Sequence, residues 1–318
     1  MRTMPLGRTG EEVSALCLGA MLFGTRTDEE TSWKLLDRYV QAGGTFIDTA
    51  NAYAHWVPGG RGGESEALLG RWMAERGNRD ELLIATKVGF EYQGHDLGGC
   101  ERGTSAEQIR TECEKSLKRL GVETIDLYYA HNDTRESSLE ETLEAMDELQ
   151  RAGKIRYAAC SNYRAWRLGE ALCVSGSRGF TQYVAVQQKH TYLRPQPGFD
   201  WSLWPPVNED LTDFCRERNV QIVAYSPLLK GAYTREDKSI PPGYDWPDSQ
   251  PRLQTLREVS EQLGATPNQV VLSWMLHSDP PILPLFSVSG MEQLEENLGA
   301  LDVTLSSEQM QRLNEAGL

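Results

Sequence analysis

The chain has 318 residues, of which 39% are hydrophobic and 25% are charged, so it is long and apolar enough to bury a large core. Lysine and arginine number 32 against 46 acidic residues, and this net charge of −14, without a basic stripe, argues against nucleic-acid binding. No apolar stretch reaches the roughly 18 residues of a membrane-spanning helix, no secretory signal opens the chain, and the six cysteines lack metal-ligand spacing. We therefore expect a cytoplasmic protein that binds neither nucleic acid nor a membrane.

The first predicted element is a β-hairpin, because Leu6–Gly10 carries a turn signal between two extended segments. After it, eight short apolar runs alternate with longer segments of helical period. Each run is a predicted strand, and the strands end near Gly19, Asp48, Thr86, Ala130, Ser161, Gln187, Ser226 and Leu285. Sharing 318 residues among eight repeats gives about 40 residues each, the size of one strand, one helix and their loops.

This alternation is typical of an α/β fold, and eight repeats predict a (β/α)8 TIM barrel with an N-terminal β-hairpin. Three predicted helices begin after Asp28, Ser105 and Ser138, which are good N-cap residues. Two further helical patterns, Arg252–Leu263 and Pro267–His277, predict extra C-terminal helices. The eight units share no internal sequence repeat and no linker separates them, so one barrel domain over residues 1–318 is the simplest organisation. An open doubly wound sheet remains the alternative, because periodicity does not show whether a sheet closes.

Two segments are too long for simple connections, residues 188–206 and 230–250. Both follow predicted strands and are rich in proline, glycine and aromatic residues, so we expect them over the face where the strands end. Sites of parallel barrels form on that face. The glycine-rich stretch 59–63 lacks the spacing of a dinucleotide-binding turn. It is interpreted as a loop near the mouth of the barrel, which is the opening at the carboxyl ends of the strands.

Polar side chains at the ends of three consecutive strands suggest the chemistry of the site. Asp48 closes the second strand and leads to Tyr53, Lys87 closes the third, and His131 follows the fourth. Reduction of a carbonyl needs a proton delivered to its oxygen, and a tyrosine can supply it when a neighbouring ammonium lowers the pKa of the phenol. Lys87 would have this role, Asp48 would keep Lys87 charged, and His131 would orient the substrate oxygen. Asp48 and His131 alone are too few for a metal site, so none is expected.

Several motifs resemble those of the aldo-keto reductase family. FIDTANAY, GESEALLGRWM, ATK, DLYYAH and the run LEETLEAMDELQRAGKIRYAACSNY are similar to family segments, and the resemblance extends from Leu16 to about Leu301. It implies an enzyme that reduces an aldehyde or ketone, such as a sugar or metabolite carbonyl, with a nicotinamide dinucleotide. Tyr53 would be the proton donor. The alternative is a dinucleotide-binding regulatory subunit resembling potassium-channel β-subunits.

The resemblance also implies a cofactor site without a Rossmann motif. The residues expected to bind the dinucleotide are Met21, Asp48, Ser161, Asn162, Gln187, Tyr225, Ser226, Pro227, Leu228, Gly231, Ser289, Gln293, Glu296 and Asn297. Many relatives hold the 2′-phosphate of NADP with a cation before the last of these segments, but residues 284–290 contain no lysine or arginine. Arg252 or Lys230 could replace it. We favour NADPH, with NAD as the alternative.

The substrate is expected to be a small carbonyl compound or alcohol that contacts His55, Trp56 and Asn132. Further aromatic candidates for the pocket are Phe90, Tyr92, Trp201, Trp204 and Trp246. Four other tryptophans lie on helical patterns and are expected to pack against the barrel, namely Trp33, Trp72, Trp166 and Trp274. The sequence leaves open the substrate, the direction of the reaction and the oligomeric state.

Overall fold

The computed structural model describes residues 1–92 and 100–317. In chain order the strands are β1 Thr3–Pro5, β2 Glu12–Ser14, β3 Cys17–Gly19, β4 Phe46–Asp48, β5 Leu83–Val88, β6 Phe90–Tyr92, β7 Cys100–Arg102, β8 Ile125–Ala130, β9 Ile155–Ser161, β10 Ala185–Lys189, β11 Gln221–Tyr225 and β12 Leu283–Phe286. The helices are α1 Glu29–Gln41, α2 Glu64–Arg76, α3 Ala106–Leu120, α4 Leu139–Arg151, α5 Ala165–Arg178, α6 Glu209–Arg218, α7 Ser249–Leu263, α8 Pro267–Leu276, α9 Met291–Leu298 and α10 Ser307–Glu315.

Eight of these strands, β3 to β5 and β8 to β12, form a closed parallel barrel. Closure is visible at β3, which pairs with β4 through Gly19 and Asp48 and with β12 through Cys17 and Leu285. Every residue of β5 and β8 is buried, because these strands have the barrel interior on one side and helices on the other. The predicted TIM barrel is confirmed, and the open-sheet alternative is wrong.

The predicted strand ends are accurate to within two residues. Four strands end at the predicted residue, while β5 continues to Val88, β10 to Lys189 and β12 to Phe286, and β11 ends one residue early at Tyr225. Lys87 therefore lies inside β5 rather than just after it. Differences of one or two residues are the usual uncertainty in where an element ends.

The predicted N-terminal hairpin is formed by β1 and β2, which pair in antiparallel register. It packs against the amino ends of the barrel strands, where the Arg8 guanidinium donates to the carbonyl of Tyr183 at 2.7 Å. Gly7 lies in the left-handed region with φ 55°, and a Cβ atom there would come within 2.5 Å of the Val184 carbonyl oxygen. The hairpin thus covers this end of the barrel and leaves the carboxyl ends of the strands for a site.

Three helices begin directly after the predicted N-cap residues. Asp28 caps α1 by accepting from the amide of Thr31, Ser105 caps α3 with a capping box, and Ser138 caps α4. At the C-terminus, α7 begins three residues before the predicted Arg252, and α9 and α10 follow α8. No helix in the described part of the chain is long and apolar enough to cross a membrane.

One expectation about the tryptophans is wrong. Trp72 and Trp274 are buried and Trp33 is half-buried, as expected of packing residues. Trp166 is instead 56% exposed on the outer face of α5, where it packs under the guanidinium of Arg135. Helical spacing does not show which face of a helix meets the barrel, and Trp166 lies next to the N-cap of α5, where the chain faces solvent.

Candidate active site

The four polar residues predicted at strand ends lie together at the carboxyl end of the barrel. The Lys87 ammonium donates to Asp48 Oδ1 at 2.5 Å, to the carbonyl of Thr49 at 2.6 Å and to the phenol oxygen of Tyr53 at 2.9 Å. The rings of Tyr53 and His131 meet edge to face, with centroids 5.8 Å apart. Lys87 thus links a carboxylate to a phenol, and an imidazole lies beside that phenol.

The ion pair between Lys87 and Asp48 has almost no contact with solvent. Burial raises the pKa of Asp48, although the charge of Lys87 and hydrogen bonds from Lys87 and Gln187 oppose this effect. The Gln187 amide donates to the second carboxylate oxygen of Asp48 at 2.8 Å. Burial by itself favours a neutral amine at Lys87, but Asp48 and Tyr53 outweigh it and raise the pKa of Lys87 above its usual value. The lysine is therefore held as an ammonium.

The pKa of the Tyr53 phenol differs from the expectation. Lys87 lowers it, as the sequence suggests, but burial has a larger effect in the opposite direction, so the pKa of Tyr53 lies above its ordinary value. The phenol therefore keeps its proton at neutral pH. A protonated phenol beside a fixed ammonium can give up that proton when negative charge develops on a nearby oxygen.

His131 is a neutral imidazole at neutral pH. Burial, together with the positive charge of Lys87, lowers the pKa of His131 well below its usual value. The Asn162 side chain donates to its carbonyl at 3.0 Å, and Phe90 packs edge to face against its ring at 4.9 Å. Its Nδ1 atom has no hydrogen-bond partner among the described residues. A neutral, fixed imidazole of this kind can donate a hydrogen bond to a substrate oxygen.

Aromatic side chains surround this group. Trp56 packs edge to face on Tyr53 at 6.3 Å and on His55 at 4.9 Å, and Nδ1 of His55 donates to the carbonyl of Ala52 at 2.7 Å. Phe90 and Trp204 stack at 6.2 Å with nearly parallel rings. These contacts connect the loop after β4, the start of β6 and the predicted loop 188–206, so the long loop does reach the mouth.

Two other predicted substrate residues have different surroundings. Asn132 is fully buried beside His131, and both polar atoms of its side chain lack a partner within the described structure. Trp246 donates its indole N–H to the carbonyl of Arg194 at 2.9 Å and holds that loop. The side chain of Tyr92 lies outside the described part of the chain.

Sequence reasoning missed Asn51, which connects the site to the helical layer. Its amide donates at 2.7 Å both to the carbonyl of Phe90 and to the carboxylate of Glu112 on α3. Asn51 stands two residues before Tyr53 in the FIDTANAY motif, which was the available signal. Nothing in the sequence pairs it with Glu112.

The sequence profile of the Aldo/keto reductase family matches residues 15–317. The chain belongs to this family. It is 32% identical to the oxidoreductase YrpG of Bacillus subtilis, over 98% of this chain and 94% of that protein. It is 31% identical to norsolorinic acid reductase stcV of Emericella nidulans, over 96% and 79%, and 28% identical to norsolorinic acid reductase of Aspergillus flavus, over 96% and 78%. The resemblance in the motifs is thus confirmed, and the chain is an oxidoreductase of a carbonyl-reducing family.

Aldo/keto reductases generally use nicotinamide cofactors. Several predicted cofactor residues of this protein form a hydrogen-bonded network beside the four residues Asp48, Tyr53, Lys87 and His131, called the tetrad below. The Ser161 hydroxyl donates to the carbonyl of Gln187 at 2.9 Å, and the Asn162 amide donates to that hydroxyl at 2.9 Å. The phenol of Tyr225 donates to the amide oxygen of Asn162 at 2.9 Å. Met21 is half-buried two residues after β3. The network holds Tyr225 as a half-buried aromatic face at the end of β11.

The loop after β11 has the geometry of an anion-binding turn. Ser226, Leu229, Lys230 and Gly231 all have positive φ, and the Thr191 hydroxyl holds the loop by donating to the carbonyl of Pro227 at 2.6 Å. The amide N–H groups of Leu228 and Lys230 donate no hydrogen bond within residues 1–92 and 100–317. Free amides in such a turn suit a phosphate group. The predicted residues at this loop therefore fit a dinucleotide pyrophosphate.

The predicted residues on α9 and just before it are polar groups that bind one another or residues of α8. The amide and hydroxyl of Ser289 both donate to the side-chain oxygen of Gln293, at 2.8 and 3.1 Å. The Glu296 carboxylate accepts from Asn268 at 3.2 Å, and Asn297 beside it is buried. Asn268, which sequence reasoning missed, keeps an unpartnered side-chain oxygen among the described residues. A buried acceptor of this kind leaves room for a donor group of a bound ligand.

The expectation that Arg252 could hold a 2′-phosphate is wrong. Its guanidinium is buried and donates to the carbonyl of Tyr192 at 2.8 and 3.1 Å and to the carbonyl of Ala316 at 2.8 Å. Arg252 therefore fastens the C-terminal segment to the loop after β10. Lys230, the other candidate, is exposed and forms no ion pair within the described structure.

Two other features lie outside the tetrad. A cavity of about 1010 Å³ lies between α5 and α6, with Trp166, Gln188 and Phe214 in its wall, and none of the four tetrad residues lines it. No group of three or more histidine, cysteine or acidic side chains in the described chain could hold a metal ion. The tetrad at the strand ends therefore remains the candidate active site.

Proposed function

We propose that this protein reduces an aldehyde or ketone to the alcohol with NADPH or NADH, and that Tyr53 is the proton donor. The observation that carries this proposal is the Lys87 ammonium, which contacts Asp48 and Tyr53 at once while His131 lies against the Tyr53 ring. A reduced nicotinamide dinucleotide, when bound, supplies the hydride. The residues of the chain supply the proton and stabilise the charge.

Each residue of the tetrad has a separate task. The Tyr53 phenol gives its proton to the substrate oxygen as negative charge builds up there, and the adjacent Lys87 ammonium stabilises the phenolate that is left. Asp48 keeps Lys87 charged and fixed through the 2.5 Å contact. His131 donates a hydrogen bond to the same oxygen, and it does so as a neutral group because burial suppresses its protonation.

For the cofactor we propose that Ser161, Asn162 and Gln187 bind the nicotinamide carboxamide and that Tyr225 stacks on its ring. Ser226, Pro227, Leu228 and Gly231 would contact the pyrophosphate, and Ser289, Gln293, Glu296 and Asn297 the adenosine end, with Met21 beside the cleft. We favour NADPH, and with Arg252 buried in other bonds, Lys230 is the cation that would favour a 2′-phosphate. Parallel titrations with NADPH and NADH, followed by tryptophan fluorescence, measure this preference.

The substrate pocket favours a flat, aromatic carbonyl compound. Trp56, Phe90 and Trp204 supply aromatic faces, and the buried amide of Asn132 offers an unpaired donor and acceptor beside them. Three relatives carry the name norsolorinic acid reductase, two of which are described above. An aryl aldehyde, an aryl ketone and an aliphatic aldehyde therefore make an informative first panel.

The test is turnover by the parent chain and by Tyr53→Phe. We expect the variant to lose about 10²-fold or more of kcat, since general acid catalysis contributes on that scale, with little change in cofactor affinity. Equal turnover of the two proteins would show that Tyr53 is not the donor. A parent chain that binds the dinucleotide but reduces no carbonyl would favour the regulatory alternative.

A further inference from the structure

Lys189 is the last residue of β10 and lies at the mouth of the barrel. Two residues earlier on the same strand, Gln187 points into the barrel and bonds Asp48. Because side chains alternate along a strand, Lys189 leaves β10 on the side of Gln187, one layer closer to the opening. Its register partner on β11 is Tyr225, the aromatic face described above.

Lys189 is half-buried, and no carboxylate of the described residues pairs with its ammonium. Five other lysines do have a carboxylate partner, namely Lys34, Lys87, Lys115, Lys154 and Lys238. Burial, and then the positive charge of Lys230, lower the pKa of Lys189. Lys230, which is exposed, likewise forms no ion pair in the described chain, and neither does Lys118 on α3, far along the chain from this opening. Two uncompensated cations at one opening are notable in a protein of net charge −14.

The position of Lys189 is fixed by aromatic packing. Its ammonium lies over the ring of Trp201, 5.1 Å from the centroid. That ring packs against Phe199 at 4.8 Å and Tyr244 at 5.0 Å. A Cβ atom at Gly243 would come within 2.4 Å of the Trp201 ring, so glycine permits this close packing. The cation is thus held in place before any ligand arrives.

We propose that Lys189, assisted by Lys230, forms an anion subsite that binds a carboxylate or phosphate group of a ligand in the mouth of the barrel. The anion has two sources to distinguish, the carbonyl substrate and the phosphate groups of the dinucleotide. A bound anion would be the counter-charge of these two lysines, which have no carboxylate partner among the described residues. The substrate form of this proposal rests on the proposed carbonyl reduction.

The first measurement compares two substrates that differ in one charge, 4-carboxybenzaldehyde and its methyl ester. The variants are Lys189→Met, which keeps an apolar stem on Trp201, and Lys189→Gln, with Lys189→Arg as the conservative rescue. Lys118→Met is the matched control, because Lys118 is an exposed lysine on α3 without an ion pair in the described structure. All steady-state constants are measured with saturating NADPH at low and high salt.

We expect the preference for the acid over the ester, as a ratio of kcat/KM, to fall about tenfold in Lys189→Met and Lys189→Gln. Lys189→Arg should keep most of the preference, and Lys118→Met should match the parent. High salt should reduce the acid-over-ester preference of the parent, because salt screens the charge of Lys189. It should have little effect in Lys189→Met, because that variant lacks this charge.

The second measurement is the Kd of NADPH for the same proteins. A loss of about tenfold in Lys189→Met, with an unchanged acid-to-ester ratio, would assign the subsite to the cofactor phosphates. If neither the ratio nor the Kd changes, the anion subsite is refuted. If the parent reduces no carbonyl at all, the proposed function fails, and the Kd measurement still decides whether Lys189 binds an anion.

Discussion

Replacement of Lys87 by methionine tests the buried ion pair most directly. Lys87→Met removes the partner of Asp48 and leaves a carboxylate with almost no exposure and, among the described residues, only Gln187 as a donor. Breaking a buried pair in this way costs about 3–5 kcal/mol. An unfolding entropy of about 2.1 cal/mol/K per residue over 318 residues gives about 1.5 °C per kcal/mol. We therefore expect the melting temperature to fall by about 5–7 °C.

The double variant Lys87→Met/Asp48→Asn separates charge burial from lost packing. Removing both charges relieves the penalty, so the double variant should melt above Lys87→Met although it lacks one more native group. Both variants lose the tetrad, and melting temperature is therefore the useful readout. Lys34→Met is the control, because the pair of Lys34 with Glu30 lies on the exposed face of α1 and contributes little.

The pH dependence has a definite sign. In Lys87→Met, burial raises the pKa of Asp48 above its unfolded value while the opposing charge is gone. The folded chain then binds a proton that the unfolded chain releases, so stability is lost as the pH rises above about 3.9 toward the folded pKa. The difference in melting temperature between the single and the double variant should be larger at pH 8 than at pH 5. A single variant that melts at or above the double at pH 8 would refute the reasoning.

Three further predictions concern residues outside the tetrad. Asn297→Ala should raise the Kd of the dinucleotide in a fluorescence titration, and an unchanged Kd would show that the cofactor does not contact this part of α9. Arg252→Met should lower stability by about 3 kcal/mol, at roughly 1 kcal/mol for each of its three hydrogen bonds, yet leave the NADPH-to-NADH affinity ratio as in the parent; a changed ratio would contradict its structural role. Burial lowers the pKa of His190 to about 4, so stability present above pH 6.5 should be lost by about 3 kcal/mol as the pH falls to 4. The unfolding free energy, measured by denaturant titration at several pH values, should depend less steeply on pH in His190→Gln than in the parent. An identical pH dependence of the two proteins would contradict the assignment.

Local patterns predicted the eight strand and helix units and the catalytic candidates, whereas only the strand pairing of the folded chain showed that the sheet closes. Apolar runs of strand length and N-cap residues such as Asp28 and Ser105 act over a few neighbouring residues, so they can be read directly from the sequence. Strand ends of a parallel barrel meet at one face, which is why Asp48, Lys87 and His131 could be grouped without coordinates. Motif resemblance then pointed to the family.

The sequence by itself determined which side chains gather at the mouth, but only the tertiary structure decided their protonation states and their hydrogen-bond and ion-pair partners. Gln187 and Asp48 are 139 residues apart in the chain and bond inside the barrel. Burial raises the pKa of Tyr53 against the effect of Lys87, while folding brings Arg252 to backbone carbonyls and brings no carboxylate of the described residues to Lys189. Solvent exclusion and charge compensation depend on groups brought together by folding, so no local pattern encodes them.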